Sequence, residues 1–218
     1  MSRVSAGTLS MSLDGYVAGP EQDEHHPLGV GGTRLHEWIF ATRSGRQMIG
    51  QSGGSEGVDD GFFKMGAVGV GATIMGRNMF GPVRGPWEGS DWRGWWGDDP
   101  PFHHPVFVLT HYQRPDLIMG DTTFHFVTGG LEIALSRAFD VAQDRDVHVS
   151  GGAATVRQFL SAQLVDELRL SVVALRLGAG ERLLEVVGQW PPGYECRAVA
   201  PGDGATHYEL VRAGSSSQ

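Results

Sequence analysis

Cysteine, lysine and long apolar runs are nearly missing from this chain of 218 residues. Cys196 is the single cysteine, so no disulfide can form within the chain. Lys64 is the single lysine, and the remaining cations are arginines, which leaves one candidate for any lysine-based chemistry. No apolar stretch approaches the roughly 18 residues that a bilayer-spanning helix needs. The N-terminal residues lack the basic start and apolar core of a secretory signal. A cytoplasmic protein is the expectation. An excess of positive charge is also lacking: the net charge is −8. An acidic chain is a poor partner for a nucleic-acid backbone. The 33 glycines are dispersed, which excludes collagen-like and low-complexity architectures.

Apolar residues make up 40% of the sequence, enough for a sizeable core. Strand-like and helix-like segments alternate. Val4 to Leu13, Val68 to Met75, Val106 to Leu109, Phe124 to Val127, Val147 to Val149 and Val165 to Leu175 read as strands. Leu131 to Ala142 and Ala153 to Leu164 carry apolar residues at helical spacing. A further helix is expected over Leu35 to Ile49, with Trp38, Ile39 and Phe40 partly buried. A short one is expected to Met65, capped by Asp59 or Asp60. Tyr194 to Ala200 and Thr206 to Val211 read as a closing hairpin. The pattern predicts one α/β domain over residues 1–213, with a mixed, mostly parallel sheet, helices on both faces and an antiparallel end. Residues 214–218 read as a disordered tail.

Three strand ends carry groups suited to phosphate. The strand ending at His148-Val149 runs into Ser150-Gly151-Gly152-Ala153-Ala154-Thr155 and directly into a helix. A helix N-terminus offers free N–H groups, and glycines there let an anion approach the backbone. An ordinary tight strand–helix turn accounts for the same residues, and the spacing is not that of a Gly-x-Gly-x-x-Gly fingerprint. The second end is Gly76-Arg77-Asn78, where arginine is a natural phosphate partner. The third is Thr110-His111. Ligands in open α/β sheets bind beyond the carboxyl ends of strands, so three such ends argue together. Asp14, directly after the first strand, reads either as a turn aspartate or as an acid near a reacting ring.

Ser12-Leu13-Asp14-Gly15, Met75-Gly76-Arg77, Leu109-Thr110 and Gly151-Gly152 occur in that order across residues 4–212. In this they resemble the dihydrofolate reductase-like superfamily. Within it, the pattern is most similar to the C-terminal reductase domain of the bifunctional riboflavin-biosynthesis deaminase-reductase and its free-standing relatives. The resemblance implies a three-layer α/β/α fold, a homodimer and NADPH as cofactor. It implies that Ser150, Gly151, Gly152, Ala153, Ala154 and Thr155 form the pyrophosphate turn, with a cis peptide between the two glycines. It implies that Gly76, Arg77 and Asn78 form a second phosphate-contacting turn. Thr110 and His111 would lie near the adenosine 2′-phosphate, and Ser10 beside the nicotinamide. Asp14 would serve in proton relay or substrate orientation, with Tyr16 lining the same pocket. The implied reaction is hydride transfer to a small heterocycle, of the 5-amino-6-(5-phosphoribosylamino)uracil reductase type. A cofactor-binding homologue without turnover is the alternative.

The deaminase zinc motif is missing, and one cysteine could not supply it. The carboxylate that grips the pteridine in dihydrofolate reductases has no clear counterpart: Asp59 and Asp60 lie in roughly the right region, but helix capping explains them equally well. His25-His26 and His103-His104 are adjacent pairs, which rarely point at one ion, so no metal is expected. The tryptophans between Trp87 and Trp96 are read as packing or oligomer contacts ahead of substrate stacking.

Overall fold

The structure is a computed structural model, and it describes residues 2–66, 68–186 and 188–214. Residues 215–218, most of the expected tail, lie outside the described residues. Nine strands form one sheet in the order β10-β11-β8-β1-β7-β3-β4-β6-β5. Its parallel centre comprises β1 (Val4–Ser12), β3 (Val70–Gly76), β4 (Val106–Leu109), β6 (Thr122–Val127), β7 (Asp146–Gly151) and β8 (Glu167–Val173). The hairpin β10 (Tyr194–Pro201) and β11 (Thr206–Arg212) adds antiparallel pairs at one edge, and β5 (Leu117–Met119) does so at the other. A separate two-stranded ribbon joins β2 (Tyr16–Ala18) to β9 (Glu181–Arg182). The edge strand β5 and the ribbon partner β9 are too short to carry a readable alternation.

Burial on both sheet faces follows the period of two. Ala72 and Ile74 on β3, Phe107 on β4 and Val127 on β6 enter the main core. Met75, Val106, Val108, Phe124 and Phe126 point the other way, into a second core. Helix α5 (Leu131–Ala142) supplies Ala134, Ala138 and Ala142 to the main core, and α6 (Ala153–Ser161) supplies Val156, Phe159 and Leu160. Over β3, β4 and β6 the second face is covered largely by irregular chain. Phe80 of the short helix α4 (Arg77–Phe80), with Trp87, Trp92, Trp96 and Phe102 of the loop after it, packs there. The tryptophan-rich loop is therefore a packing layer.

The single helix expected over Leu35 to Ile49 is broken. A 3-10 turn (Gly32–His36) leads into α1 (Glu37–Ala41), and α2 (Arg43–Met48) follows. Thr42 separates α1 from α2 in an extended conformation, donating from Oγ1 to the Ile39 carbonyl at 2.7 Å and accepting from Gly45 N at 3.0 Å. A threonine that bonds local backbone competes with the helix. Gly57, and neither aspartate, is the N-cap of α3 (Val58–Met65). Asp59 instead accepts from Gly204 N at 2.8 Å and bonds His207 Nε2 at 2.7 Å. Phe62 stacks on His207 at 4.2 Å, and Trp38 meets it edge-on at 5.0 Å, which closes a third small core against β11. Asp60 pairs with Lys64 at 2.6 Å.

His148 of β7 bonds Ser5 Oγ through Nδ1 at 2.9 Å, and desolvation pulls its pKa from 6.5 to about 4. A folded value below the unfolded one means that acid favours unfolding. The contribution is complete above the ordinary histidine value and is lost as pH falls towards 4. The urea midpoint is expected to drop across that window, and His148→Asn to flatten the drop. An identical pH slope in the variant would remove His148 as its source.

Candidate active site

One cavity of about 720 Å³ crosses the carboxyl ends of the parallel strands. Its walls include Ser10 of β1, Gly76 at the end of β3, Thr110 and His111 after β4, and Ser150 and Gly151 at the end of β7. Arg77 and Asn78 line it from α4, and Gly152, Ala153, Ala154 and Thr155 from the start of α6. Every residue expected to touch the cofactor therefore meets on one cavity.

Two strand ends close on each other here. A Cβ built on Gly76 would overlap Thr155 Oγ1, so the end of β3 and the first turn of α6 touch because residue 76 has no side chain. Gly151 holds φ +143°, a conformation that favours glycine, and the peptide joining it to Gly152 is cis. A side chain at Gly152 would meet open space. Helix α6 has no side-chain cap, so the N–H groups of its first turn remain to be satisfied.

Arg77 is held on three sides. Its Nε donates to the Val83 carbonyl at 3.0 Å and its Nη1 to Thr110 Oγ1 at 3.4 Å. Its guanidinium carbon lies 3.6 Å from the centre of the Trp87 ring, and Arg114 lies 4.8 Å from the same ring. Nη2 of Arg77 is buried and has no hydrogen-bond partner among the described residues. Desolvation, then the charges of Arg84 and Arg114, push the Arg77 pKa down. Arg84 lines the same end of the cavity. A desolvated guanidinium nitrogen without a partner is costly unless an anion joins it.

Asp14 and Tyr16, expected to carry chemistry, do not line the cavity. Asp14 accepts from Ser12 Oγ at 2.6 Å, Leu177 N at 3.1 Å and Gly178 N at 2.8 Å. Desolvation raises its pKa, but the bonds from Ser12, Gly178 and Leu177 outweigh it and hold the carboxyl at about 2. These bonds make Asp14 the fastening of a turn. The Tyr16 hydroxyl accepts from Arg182 Nη2 at 2.7 Å, with the guanidinium 4.3 Å from its ring centre. Both residues pin β2 to the segment around β9.

The structure adds residues that the sequence pattern did not reveal. His36, Gln22, Leu28 and Glu181 line the cavity near β1, and Tyr112 and Arg84 line it elsewhere. None belongs to a local motif. The Ser10 hydroxyl, also on the wall, accepts from Trp38 Nε1 at 2.9 Å.

A family model described as the RibD C-terminal domain matches residues 7–196. The chain belongs to this family. Its fold is shared with a structure from Shewanella sp. PV-4 described as a riboflavin biosynthesis protein, at 22% identity and TM-score 0.58, covering 97% of this chain and 99% of that one. Dihydrofolate reductase from Enterococcus faecalis, complexed with NADP(H) and RAB-propyl, matches at 16% identity and TM-score 0.52, over 97% and 96% of the two chains. A Thermotoga maritima diaminohydroxyphosphoribosylaminopyrimidine deaminase/5-amino-6-(5-phosphoribosylamino)uracil reductase matches at 13% identity and TM-score 0.53. That match covers 97% of this chain and 57% of the other. The fold is thus dihydrofolate reductase-like. No curated protein matches the chain.

Gly76→Ala is expected to cost about 1–3 kcal/mol, the usual range for overpacking, because the Thr155 side chain must leave its rotamer or shift to make room. Adding Thr155→Ala removes the colliding atom and should return most of that loss. Urea denaturation of both single variants and the double variant checks this. Strictly additive losses would show that the two residues are not in contact.

Proposed function

We propose that the chain is an NADPH-dependent reductase that transfers a hydride to a small heterocyclic substrate. One observation carries the reading: the partnerless Arg77 nitrogen, the nearby Arg84 and the uncapped start of α6 share one cavity. These groups fit a dinucleotide that carries an extra phosphate. Arg77, Arg84, Thr110 and His111 would hold the 2′-phosphate end, and Gly151 to Thr155 the pyrophosphate. Ser10 would lie beside the nicotinamide, which supplies the hydride when bound. The protein's part is to bind, orient and exclude water.

Turnover is favoured over a binding module by the cavity's extent. Beyond Ser10 its lining includes Val17, Ala18, Pro27 and Leu28, an apolar stretch. Family membership supports the oxidoreductase class. Among the described residues no helix is long and apolar enough to cross a membrane. A cytoplasmic homodimer completes the proposal.

Fluorescence titration is expected to show saturable NADPH binding, tighter than that of NADH. Arg77→Ala should weaken NADPH by about 10- to 100-fold, the range for a charge-assisted bond, and NADH far less. No response at near-millimolar NADPH sinks the cofactor reading. Equal weakening of both nucleotides removes Arg77 from the 2′-phosphate.

A further inference from the structure

The cavity is divided by charge. Over the ends of β3 and β4 it presents Arg77 and Arg84 and no carboxylate. Over β1 and the β2–β9 ribbon it presents no lysine or arginine among the described residues, and Glu181 is the charged group there. No ion pair neutralises Glu181 among the described residues. A phosphate placed at this end would lose water and gain repulsion, with no cation to replace what it lost.

The neutral groups at the same end include acceptors. Gln22 gives one of its two amide N–H groups to the Pro27 carbonyl at 3.2 Å, which leaves a second N–H and the side-chain oxygen. His36 lines the cavity from the end of the 3-10 turn, with its ring against the Gly32 backbone. Burial holds the imidazole below its ordinary pKa, so it is neutral near pH 7 and offers one donor and one acceptor nitrogen. Around these polar groups Leu9, Val17 and Leu28 give apolar wall. The end as a whole is apolar, rich in acceptors and hostile to anions.

We propose that the substrate is a phosphate-free heterocycle bearing amino or amide N–H groups, contacted by His36, Gln22 and Glu181 at the β1 end of the cavity. The proposal rests on the reading that the arginine end holds the cofactor's phosphates. With those cations taken, a phosphoribosyl substrate has no partner for its own phosphate. The substrate preference therefore departs from the phosphorylated pyrimidine in the printed name of the Thermotoga maritima protein.

The test uses a matched pair, 5-amino-6-ribosylaminouracil and its 5′-phosphate, titrated calorimetrically into the NADPH-saturated protein. NADPH binding itself is measured first, on the wild type and on each variant. The phosphate-free member is expected to bind about tenfold tighter or better. Glu181→Lys should close or reverse that gap. His36→Ala should weaken the phosphate-free member about tenfold, a typical loss for a buried polar contact, with NADPH affinity unchanged. Equal or tighter binding of the phosphorylated member to the wild type overturns the proposal. So does no binding of either member at millimolar concentration to a protein that binds NADPH. Loss of NADPH binding in the wild type overturns the cofactor reading instead, and the substrate proposal falls with it.

Discussion

The contact between Gly76 and Thr155 is the constraint on which the site depends. β3 and β7 are neighbours, paired in parallel up to Met75 opposite Gly151. Beyond that register the two chains diverge, one into α4 and the other into α6. They can part this sharply only because no side chain stands between Gly76 and Thr155. The result is that Arg77 and the first turn of α6 open onto the same space. A parallel sheet delivers strand ends to one edge, and this close approach turns an edge into a cavity.

Holding cations there without carboxylates is the second requirement. Trp87 serves it: its ring lies between Arg77 and Arg114, and its own Nε1 donates to the Tyr112 carbonyl at 3.0 Å. Cation–π contact offsets part of the cost of burying a guanidinium, by about 0.5–2 kcal/mol. It leaves the positive charge intact, which a carboxylate would not. The chain is acidic overall, at −8, so the positive charge at this cavity is a local arrangement that runs against the net charge.

What could be read from the sequence was whatever repeated or followed a strand. Helices α5 and α6 and the closing hairpin carry apolar residues at regular spacing, and the structure contains them where that spacing puts them. The strand-end residues Arg77, Thr110 and Gly151-Gly152 were legible because strand, turn and helix succeed one another directly. Residues 32–48 were not, because Thr42 breaks a helix through hydrogen bonds that no periodicity records. Asp14, by its place after β1, reads as a turn aspartate or as an acid near a reacting ring, and the partners that hold it, Leu177 and Gly178, lie more than a hundred residues away in the chain. Asp59 follows the same logic, since its partner His207 arrives with the last strand. His36 and Glu181 reach the cavity through loop folding alone, and no spacing rule connects them.

The tryptophan-rich loop ties ligand and fold together. An α/β sheet is usually covered by a helix on each face, but here Phe80, Trp87, Trp92, Trp96 and Phe102 cover the second core. Trp96 stacks on Phe124 of β6, with ring planes 12° apart, and also lines the cavity. Trp92 reaches back to the Phe80 carbonyl at 2.9 Å, across a position where a side chain at Gly81 would collide with it. The same segment is thus core, cation support and cavity wall. A helix in its place would have covered β4 and β6 as well, but its side chains would have spent their length on the sheet. An irregular layer of large rings can seal the core with one ring and turn the next towards the cavity. Variation of this loop would therefore change the cavity and the stability of β4 and β6 together.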